Sequence, residues 1–273
     1  MIKIIFAGTG TPGIRRVDKV RACASEALQI GEDILLFDCG RWVTSQLLRC
    51  GLPPYKINYL FFTHIFHIDH TSDYPNLLFY REMRPSQLNV FGPQGTLEFS
   101  DQILKVFKDF RAHSVRRFLS IRDVDEGVVH KAEGWEVACV RTTHRMTADD
   151  ISLAYKVNAE GKSIVISGDI TYSIGERLLD VDNAYAYNEK LLDLAREADL
   201  FIMDADLVHT TPADMARAAE KANAKRIILT HIIPPRMRVR NRIQKRYDEM
   251  VAEMKEIYHG EITVAEDLKS LTL

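Results

Sequence analysis

The 273-residue sequence lacks long apolar runs, a secretory signal and a clear excess of either charge. No apolar run approaches the roughly 20 residues that a membrane-spanning helix needs, so no membrane partner is expected. The N-terminal segment has neither the charged region nor the apolar core of a signal peptide, which predicts a cytoplasmic protein. The formal net charge of -2 supplies no global field that would attract nucleic acid.

Paired cysteines and flexible linkers are also missing. Cys23, Cys39, Cys50 and Cys139 are scattered along the chain and form no Cys-x-x-Cys pair. We expect them to be reduced, mostly buried thiols. Because no low-complexity tract or long Gly/Ser/Pro linker divides the chain, the sequence predicts one domain over residues 1–273.

Apolar runs predict strands, and several stretches have helical periodicity. The strands are predicted at 2–7, 34–38, 57–63, 88–92, 137–143, 151–157, 163–169, 200–204 and 226–231. The helices are predicted at 94–109, 187–197, 212–223 and 241–258. The third helix has Thr211 as a cap, Pro212 at its first position and Asp214 in its first turn. The first half, rich in strands without helices, predicts hairpins, and the alternating second half predicts helices packed outside the sheets.

Side chains of metal-ligand type follow four separate apolar runs. They are His64 with the neighbouring His67, Asp69 and His70, then His144, then Asp169, and finally His231. Strand ends converge on one edge of a sheet, where binding sites form. Imidazole and carboxylate suit zinc, manganese or iron. The candidates outnumber the ligands of one ion, which favours two ions that share a bridging oxygen.

Each of these residues alone has an ordinary structural explanation. A single histidine at a strand end is usually a satisfied polar group, and a single Gly-Asp after a strand is usually a turn. The joint occurrence at four strand ends favours the metal interpretation. In contrast, His113, His130 and His259 lie in polar, charged stretches, and we predict that they are surface residues.

A glycine-rich turn follows the first predicted strand. Gly8, Gly10 and Gly13 match the spacing Gly-x-Gly-x-x-Gly, which suggests a dinucleotide-binding turn. Pro12 falls inside that turn, and the next segment, 21–30, reads as a strand as readily as a helix. We therefore favour a tight turn without a nucleotide.

Taken together, these residues resemble the metallo-β-lactamase superfamily, particularly its tRNase Z and arylsulfatase-like branches, over nearly the whole chain. FAGTGTPG resembles the opening strand and turn, LLFDCG contains the structural aspartate Asp38, and FFTHIFHIDH resembles the signature metal motif. TTH, ISGDI and ILTH resemble the three later metal motifs in the expected order. His209, before the predicted helix at 212, matches a catalytic histidine of the tRNase Z branch.

The resemblance implies an α/β fold in the form of a four-layer αββα sandwich, with two mixed β-sheets and outer helices. It implies two divalent ions, with zinc expected and manganese or iron as alternatives. It assigns one ion to His64, His67 and His144, the other to Asp69, His70 and His231, and the bridge to Asp169. The catalytic residues implied are Asp69 and His209, with His209 protonating the leaving oxygen.

Two departures from the family pattern affect these expectations. The pattern His-x-His-x-Asp-His is interrupted, because one extra residue separates His64 from His67. Either the loop bulges and His64 still binds metal, or that ligand is lost; we favour the bulge, because an unpartnered buried imidazole is costly. In addition, only 24 residues separate His144 from Asp169, and they predict a hairpin in place of a long tRNA-gripping arm.

The favoured function is a hydrolase of small-molecule ester, phosphodiester or sulfate-ester bonds that uses a metal-bridging hydroxide and takes a small anionic or ester substrate. The alternatives are a tRNase Z-like RNA phosphodiesterase that processes 3′ ends, or a weakly metallated member that only binds. A homodimer is one option for the assembly. A basic cluster could contact an anionic substrate, although a solvated helix face is favoured; it comprises Arg236, Arg238, Arg240, Arg242, Lys245 and Arg246.

Overall fold

Two compact units make up the chain in its computed structural model. Unit 1 comprises Met1–Pro12, Arg21–Asp125 and Glu266–Leu273, and unit 2 comprises Gly13–Val20 and Glu126–Ala265. The prediction of one domain over the whole chain stays a prediction. The structure describes residues 1–12, 20–106, 112–142, 144, 150–170, 184–207, 210–233, 238–239, 242–243 and 246–273.

The described residues form strands, α-helices and one 3₁₀ helix at Pro54–Lys56. The strands are β1 (Ile2–Gly8), β2 (Ser25–Ile30), β3 (Asp33–Phe37), β4 (Tyr59–Phe61), β5 (Leu88–Gly92), β6 (Leu119–Asp123), β7 (Gly127–Ala132), β8 (Trp135–Thr142), β9 (Ser152–Ala159), β10 (Lys162–Ile166), β11 (Leu200–Asp204), β12 (Arg226–Thr230), β13 (Arg238–Val239), β14 (Arg242–Ile243), β15 (Glu261–Val264) and β16 (Ser270–Thr272). The helices are α1 (Val43–Arg49), α2 (Ile68–Thr71), α3 (Tyr74–Met83), α4 (Thr96–Val106), α5 (Ala112–Arg116), α6 (Ala184–Leu194), α7 (Pro212–Lys221) and α8 (Tyr247–Lys255).

Unit 1 contains a seven-stranded mixed sheet in the order β16-β1-β2-β3-β4-β5-β6. Its pairs from β16 to β3 are antiparallel, as the predicted hairpins require. Its pairs from β3 to β6 are parallel. Parallel neighbours need crossover connections, and α1, α3 and α4 supply them. The prediction that strands of the first half follow one another without helices is therefore wrong beyond β3.

The parallel strands of unit 1 align a ladder of aromatic side chains. Register pairs Phe37 with Phe61 and Phe61 with Phe91. The ring centroids of these stacked pairs are 5.0 and 4.8 Å apart. Stacked aromatic pairs contribute about 0.5–1.5 kcal/mol each beyond their burial. The ladder therefore fixes the strand register in the half of the sheet from which Asp38 and His64 emerge.

The glycine-rich turn after β1 is a packing feature. A Cβ on Gly8 would lie 1.9 Å from the carbonyl oxygen of Cys23, and a Cβ on Gly10 would lie 2.6 Å from the Cβ of Arg21. Only glycine permits this approach of two backbones. The segment around 25–30 is strand β2 and not the helix that a dinucleotide-binding turn begins, which fits a tight turn. Gly13 of this motif lies outside the described residues.

Unit 2 contains a second seven-stranded mixed sheet in the order β15-β12-β11-β10-β9-β8-β7. Its pairs from β7 to β10 are antiparallel, and its pairs from β10 to β15 are parallel. The hairpin predicted between His144 and Asp169 is present as β9 and β10. Helix α7 begins as predicted, because the Thr211 hydroxyl accepts a hydrogen bond from the Asp214 amide at 3.2 Å.

The helix predicted at 241–258 begins later than expected. Arg242 lies in β14, which pairs with β13, and α8 starts at Tyr247. Arg238 and Arg242 therefore do not lie on a helix face, and Arg246 is the residue that precedes α8 as its N-cap. The side chains of the other members of the basic cluster lie outside the described residues.

The described part of the chain holds no helix that is both long and apolar enough to cross a membrane. The four cysteines are thiols and not disulfides, as predicted. Cys23, Cys39 and Cys139 are buried, and Cys50 is half-buried. Burial, together with the nearby carboxylates of Asp73 and Asp38, raises the pKa of the Cys39 thiol well above its usual range. Such a thiol stays neutral and unreactive at physiological pH.

Candidate metal ligands

Unit 1 brings His64, His67, Asp69 and His70 together beyond the end of β4. His64 follows the strand after Thr63, and α2 carries Asp69 and His70 on its first turn. His64, Asp69 and His70 are buried, whereas His67 is half-buried. The sequence predicts this cluster, because three ligand-type side chains occupy four consecutive positions.

Asp38 orients the His70 ring through a contact with its Nδ1 atom. One Asp38 carboxylate oxygen accepts the Thr63 amide at 2.8 Å, and the other accepts the Thr63 hydroxyl at 2.8 Å. The second oxygen also lies 2.7 Å from His70 Nδ1. A carboxylate on Nδ1 fixes the proton there, so that Nε2 carries the lone pair that a metal needs. Asp69 Oδ2 lies 3.7 Å from that Nε2.

His64 and His67 approach each other despite the extra residue between them. The Thr63 hydroxyl is 3.0 Å from His64 Nδ1, and His64 Nε2 is 3.3 Å from His67 Nδ1. Two ligands bound at about 2.0–2.1 Å to one tetrahedral zinc lie about 3.3–3.4 Å apart. The separation therefore fits either a hydrogen bond between the rings or two ligands of one ion. The metal role of His64 stays a prediction.

Unit 2 places Asp169 between two histidines. His144 follows β8, Asp169 follows β10 and His231 follows β12, and all three are buried. Asp169 Oδ2 lies 3.7 Å from His144 Nε2, and Asp169 Oδ1 lies 3.5 Å from His231 Nε2. Each carboxylate oxygen therefore faces its own imidazole, and the role of Asp169 as a shared ligand stays a prediction.

Asp204 is a functional residue that the sequence analysis missed. It ends β11, and its Oδ1 lies 3.2 Å from His231 Nδ1 while accepting the Asp206 amide at 2.8 Å. Its Oδ2 accepts the Ile170 amide at 3.2 Å. Asp204 thus holds His231 as Asp38 holds His70. A carboxylate after the all-apolar run LFIM was the signal available, and it is the same signal that singled out Asp169.

The donor set of each unit fits a divalent metal. Nitrogens of His70 and His231 lie 3.7 and 3.5 Å from a carboxylate oxygen, beyond the usual hydrogen-bond range of about 2.7–3.2 Å. These separations are close to those of two ligands on one ion. A carboxylate holds the opposite nitrogen of both rings, as metal-binding imidazoles typically require. Buried imidazoles and carboxylates of this kind suit zinc, manganese or iron.

Other predicted residues fall elsewhere. His209, the predicted proton donor, lies outside the described residues. His259 is exposed as predicted, and the His113 side chain also lies outside the described part. His130 is not a fully exposed surface residue, because it is half-buried in β7 with its ring 5.2 Å from that of Trp135.

Comparison with known proteins identifies the family. A family model described as a beta-lactamase superfamily domain matches residues 34–232. Ribonuclease Z of Geobacillus kaustophilus is 30% identical, over 85% of this chain and 88% of that protein. The crystal structure of the metallo-beta-lactamase fold protein YhfI from Bacillus subtilis aligns with a TM-score of 0.71 at 19% identity, covering 99% of this chain and 98% of that one. Human tRNase Z, short form, aligns with a TM-score of 0.69 at 23% identity, with the same coverage.

These likenesses confirm the predicted fold class, which is an α/β fold with two mixed sheets and helices. The superfamily binds divalent metal ions, often zinc, and the His and Asp clusters of this chain offer ligands for them. With its family match and its 30% identical relative, the chain belongs to the metallo-β-lactamase superfamily and is a metal-dependent hydrolase that acts on ester bonds.

Proposed function

We propose that the chain is a metal-dependent phosphodiesterase that cleaves RNA. The observation that carries this proposal is the likeness to proteins named ribonuclease Z, which extends over 85% of the chain. The small-molecule hydrolase favoured by the sequence has less support, because the relatives that share 26–30% identity with the chain are named ribonuclease Z. We therefore favour RNA cleavage over hydrolysis of a small-molecule ester.

The short hairpin between His144 and Asp169 is weaker evidence against an RNA substrate than the sequence suggested. Strands β9 and β10 are joined by the tight turn Glu160-Gly161, both with positive φ, which leaves no space for a long arm there. An arm would grip the substrate, whereas hydrolysis depends on the ligand groups. The loss of an arm therefore changes how RNA is held and leaves the bond that is cleaved unchanged.

The ligand assignment implied by the resemblance is part of the proposal. One ion would be held by His64, His67 and His144, the other by Asp69, His70 and His231, with Asp169 shared. Bound there, two divalent ions would polarise a phosphodiester oxygen and would lower the pKa of water so that hydroxide is available at neutral pH.

The chain's own residues orient this set. Asp38 holds Nδ1 of His70, Asp204 holds Nδ1 of His231, and the Thr63 hydroxyl contacts Nδ1 of His64. Each of these contacts fixes the direction of the opposite ring nitrogen. His209 remains the predicted proton donor to the leaving oxygen.

The test compares substrates on the metal-loaded protein. We expect endonucleolytic cleavage of an RNA that carries a 3′ trailer after an acceptor stem, with kcat/KM well above that for an aryl phosphodiester, aryl sulfate or carboxyl ester. His70→Ala should abolish cleavage, whereas Asp199→Asn, which changes a carboxylate bonded to Ser163 and Lys225, should preserve it. Efficient turnover of a small ester without RNA cleavage would instead support the function of a small-molecule hydrolase.

Metal analysis provides an independent check. We expect close to two transition-metal ions per chain after reconstitution with zinc, manganese or iron. If elemental analysis finds no metal under those conditions, the proposal that these ligands support hydrolysis is wrong.

A further inference from the structure

Trp42 is a large apolar side chain displayed on a strained backbone. Its φ and ψ are 71° and 3°, in the left-handed region that favours glycine. The residue is 45% exposed, so little burial offsets the strain. A non-glycine residue keeps such a conformation only where the surroundings impose it, and such residues concentrate at binding sites. Neither local preference nor core packing accounts for tryptophan at this position.

The surrounding backbone fixes Trp42 in place. Its carbonyl accepts the Gln46 amide at 2.9 Å, and the neighbouring Arg41 carbonyl accepts the Cys23 amide at 3.2 Å. The Arg41 side chain donates to the Pro12 carbonyl at 2.8 Å, and its guanidinium carbon lies 4.9 Å from the centre of the indole ring. A cation and an aromatic ring are thus presented together on a rigid segment.

This segment runs along the ligand motif of unit 1. Cys39 donates its amide to the His70 carbonyl at 2.8 Å, and Thr44 donates its amide to Asp73 at 2.6 Å. Between them, a Cβ on Gly40 would lie 1.6 Å from the Asp69 carbonyl oxygen. Trp42 is two residues from Gly40, and two extended residues span at most about 7 Å. The backbone of Trp42 therefore lies within about 7 Å of Gly40, which touches the segment that carries Asp69 and His70.

We propose that Trp42 and Arg41 form a nucleobase-binding site, in which the indole stacks on one base next to the cleaved phosphodiester and the guanidinium attracts the RNA backbone. The inference rests on the proposed RNA phosphodiesterase function. Every base has a π-face, so an exposed indole binds single-stranded RNA with little sequence preference. Because the net charge of the chain is -2, such local contacts have to supply the affinity that no global field provides.

The kinetic test uses three substitutions at Trp42. We expect Trp42→Ala and Trp42→Gly to raise KM for RNA by about 5–160-fold, the range that loss of one stacked base produces, with kcat within about twofold. Trp42→Phe should keep most of the affinity. Metal content should stay at the unmodified level, and Trp42→Gly should have an unchanged or higher Tm, because glycine relieves the left-handed strain.

The matched control is Phe79→Ala, which removes an aromatic side chain of almost equal exposure, 44%, from α3. It should leave KM for RNA unchanged. A rise in KM of the same size for Phe79→Ala and Trp42→Ala would show a general effect of surface apolar residues and would overturn the inference.

A second measurement does not depend on cleavage. The chain has two tryptophans, and Trp135 is only 4% exposed. In Trp135→Phe, titration with a short single-stranded oligoadenylate should quench the remaining Trp42 fluorescence to saturation. In Trp42→Phe, the same titration should leave the Trp135 signal unchanged.

The outcomes separate the two proposals. RNA cleavage by Trp42→Ala with an unchanged KM, together with no quenching in Trp135→Phe, overturns the base-binding site and leaves the phosphodiesterase intact. Absence of RNA cleavage by the unmodified protein overturns the phosphodiesterase, and the oligoadenylate titration then still decides whether Trp42 binds a base.

Discussion

Asp38 and Asp204 occupy equivalent roles in units 1 and 2. Each ends or follows a buried strand, accepts two backbone or hydroxyl hydrogens and holds the Nδ1 of one histidine. The family motif identified Asp38 although His70 is 32 residues away, whereas Asp204 belongs to none of the motifs that carried the resemblance. Strand-end position indicates where a carboxylate lies; only the fold reveals which imidazole it holds.

Asp204→Asn should weaken metal binding without unfolding the protein. The amide keeps the shape of the side chain but removes the charge that makes the His231 ring a better donor, so we expect metal affinity to fall by about 10–100-fold. Competition with a chelating dye measures this. Asp199→Asn is the matched control, because Asp199 also accepts a backbone amide, from Ser163, but contacts no ligand histidine in the described residues. Equal affinities in both variants would contradict the role of Asp204.

His64→Ala tests whether the interrupted motif still binds metal. With His64 Nε2 3.3 Å from His67 Nδ1, we expect the alanine variant to lose about one ion per chain, as His67→Ala should. Elemental analysis of both variants, prepared side by side, gives the answer. A full complement of metal in His64→Ala with a deficit in His67→Ala would mean that the rings share only a hydrogen bond.

At the scale of elements, the ligand groups follow one topological rule. In each sheet, three antiparallel pairs are followed by three parallel pairs. Strands of the parallel part end at Asp204 or are followed by Asp38, His64, Asp169 and His231. Carboxyl ends of parallel strands lie at the same sheet edge, which is why a ligand at each end produces a cluster. The sequence predicted all of these strands from their apolar runs, and the predicted last residues lie within three positions of the observed ones.

The elements that the sequence missed are those whose pattern is set by distant partners. Helix α1 starts at a strained tryptophan and is held by Asp73, 29 residues away from Thr44. Strand β2 could be recognised only once β1 and β3 were in place to pair with it. Helix α7 was predictable because its cap, Thr211, and its first turn are local.

Arg81 in α3 also has partners distant in sequence, and its burial leads to a prediction about stability. It is fully buried and donates to the carbonyl oxygens of Tyr55 and Ile57 and to the Ser86 hydroxyl. Burial lowers the pKa of Arg81 to about 10, so the side chain remains charged at neutral pH. Arg81→Met would leave the buried Ile57 carbonyl without this donor, and we expect a loss of about 2–4 kcal/mol in the free energy of unfolding.

Urea denaturation of Arg81→Met, followed by circular dichroism, measures this loss. Arg84→Met is the control, because Arg84 is exposed and lies 5.7 Å from the Tyr55 ring, a contact that contributes at most about 1 kcal/mol. Similar unfolding midpoints for the two variants would mean that Arg81 does not anchor α3 to the 3₁₀ helix.

At the scale of the whole molecule, charge is distributed unevenly along the chain. Residues 236–246 carry six basic side chains and no acidic one, which leaves 30 basic and 38 acidic residues elsewhere, a net charge of -8. Most of the chain therefore repels RNA. A phosphodiesterase of RNA with this composition has to draw much of its electrostatic affinity from the basic segment, whose Arg242 belongs to a β-strand instead of a helix.

RNA binding should accordingly depend on salt in proportion to the charges of this segment. For single-stranded RNA, each neutralised phosphate contributes about -0.7 to the slope of log affinity against log salt concentration. If most of the six basic residues contact phosphates, the slope should approach about -4, and the double variant Arg236→Ala/Arg238→Ala should reduce its magnitude by about 1.4. Fluorescence anisotropy of a labelled RNA, measured with the inactive His70→Ala variant over a range of salt concentrations, gives these slopes.

The matched control for this prediction is Arg196→Ala/Arg217→Ala. Both arginines belong to unit 2, are well exposed and pair with Asp193 and Asp214. Removing them changes the net charge by the same amount, but each already has an acidic partner three residues away, so the slope should stay within about 0.3 of the parent value. A slope near zero in the parent, or an equal change in the two double variants, would mean that RNA contacts this chain mainly through groups other than the basic segment.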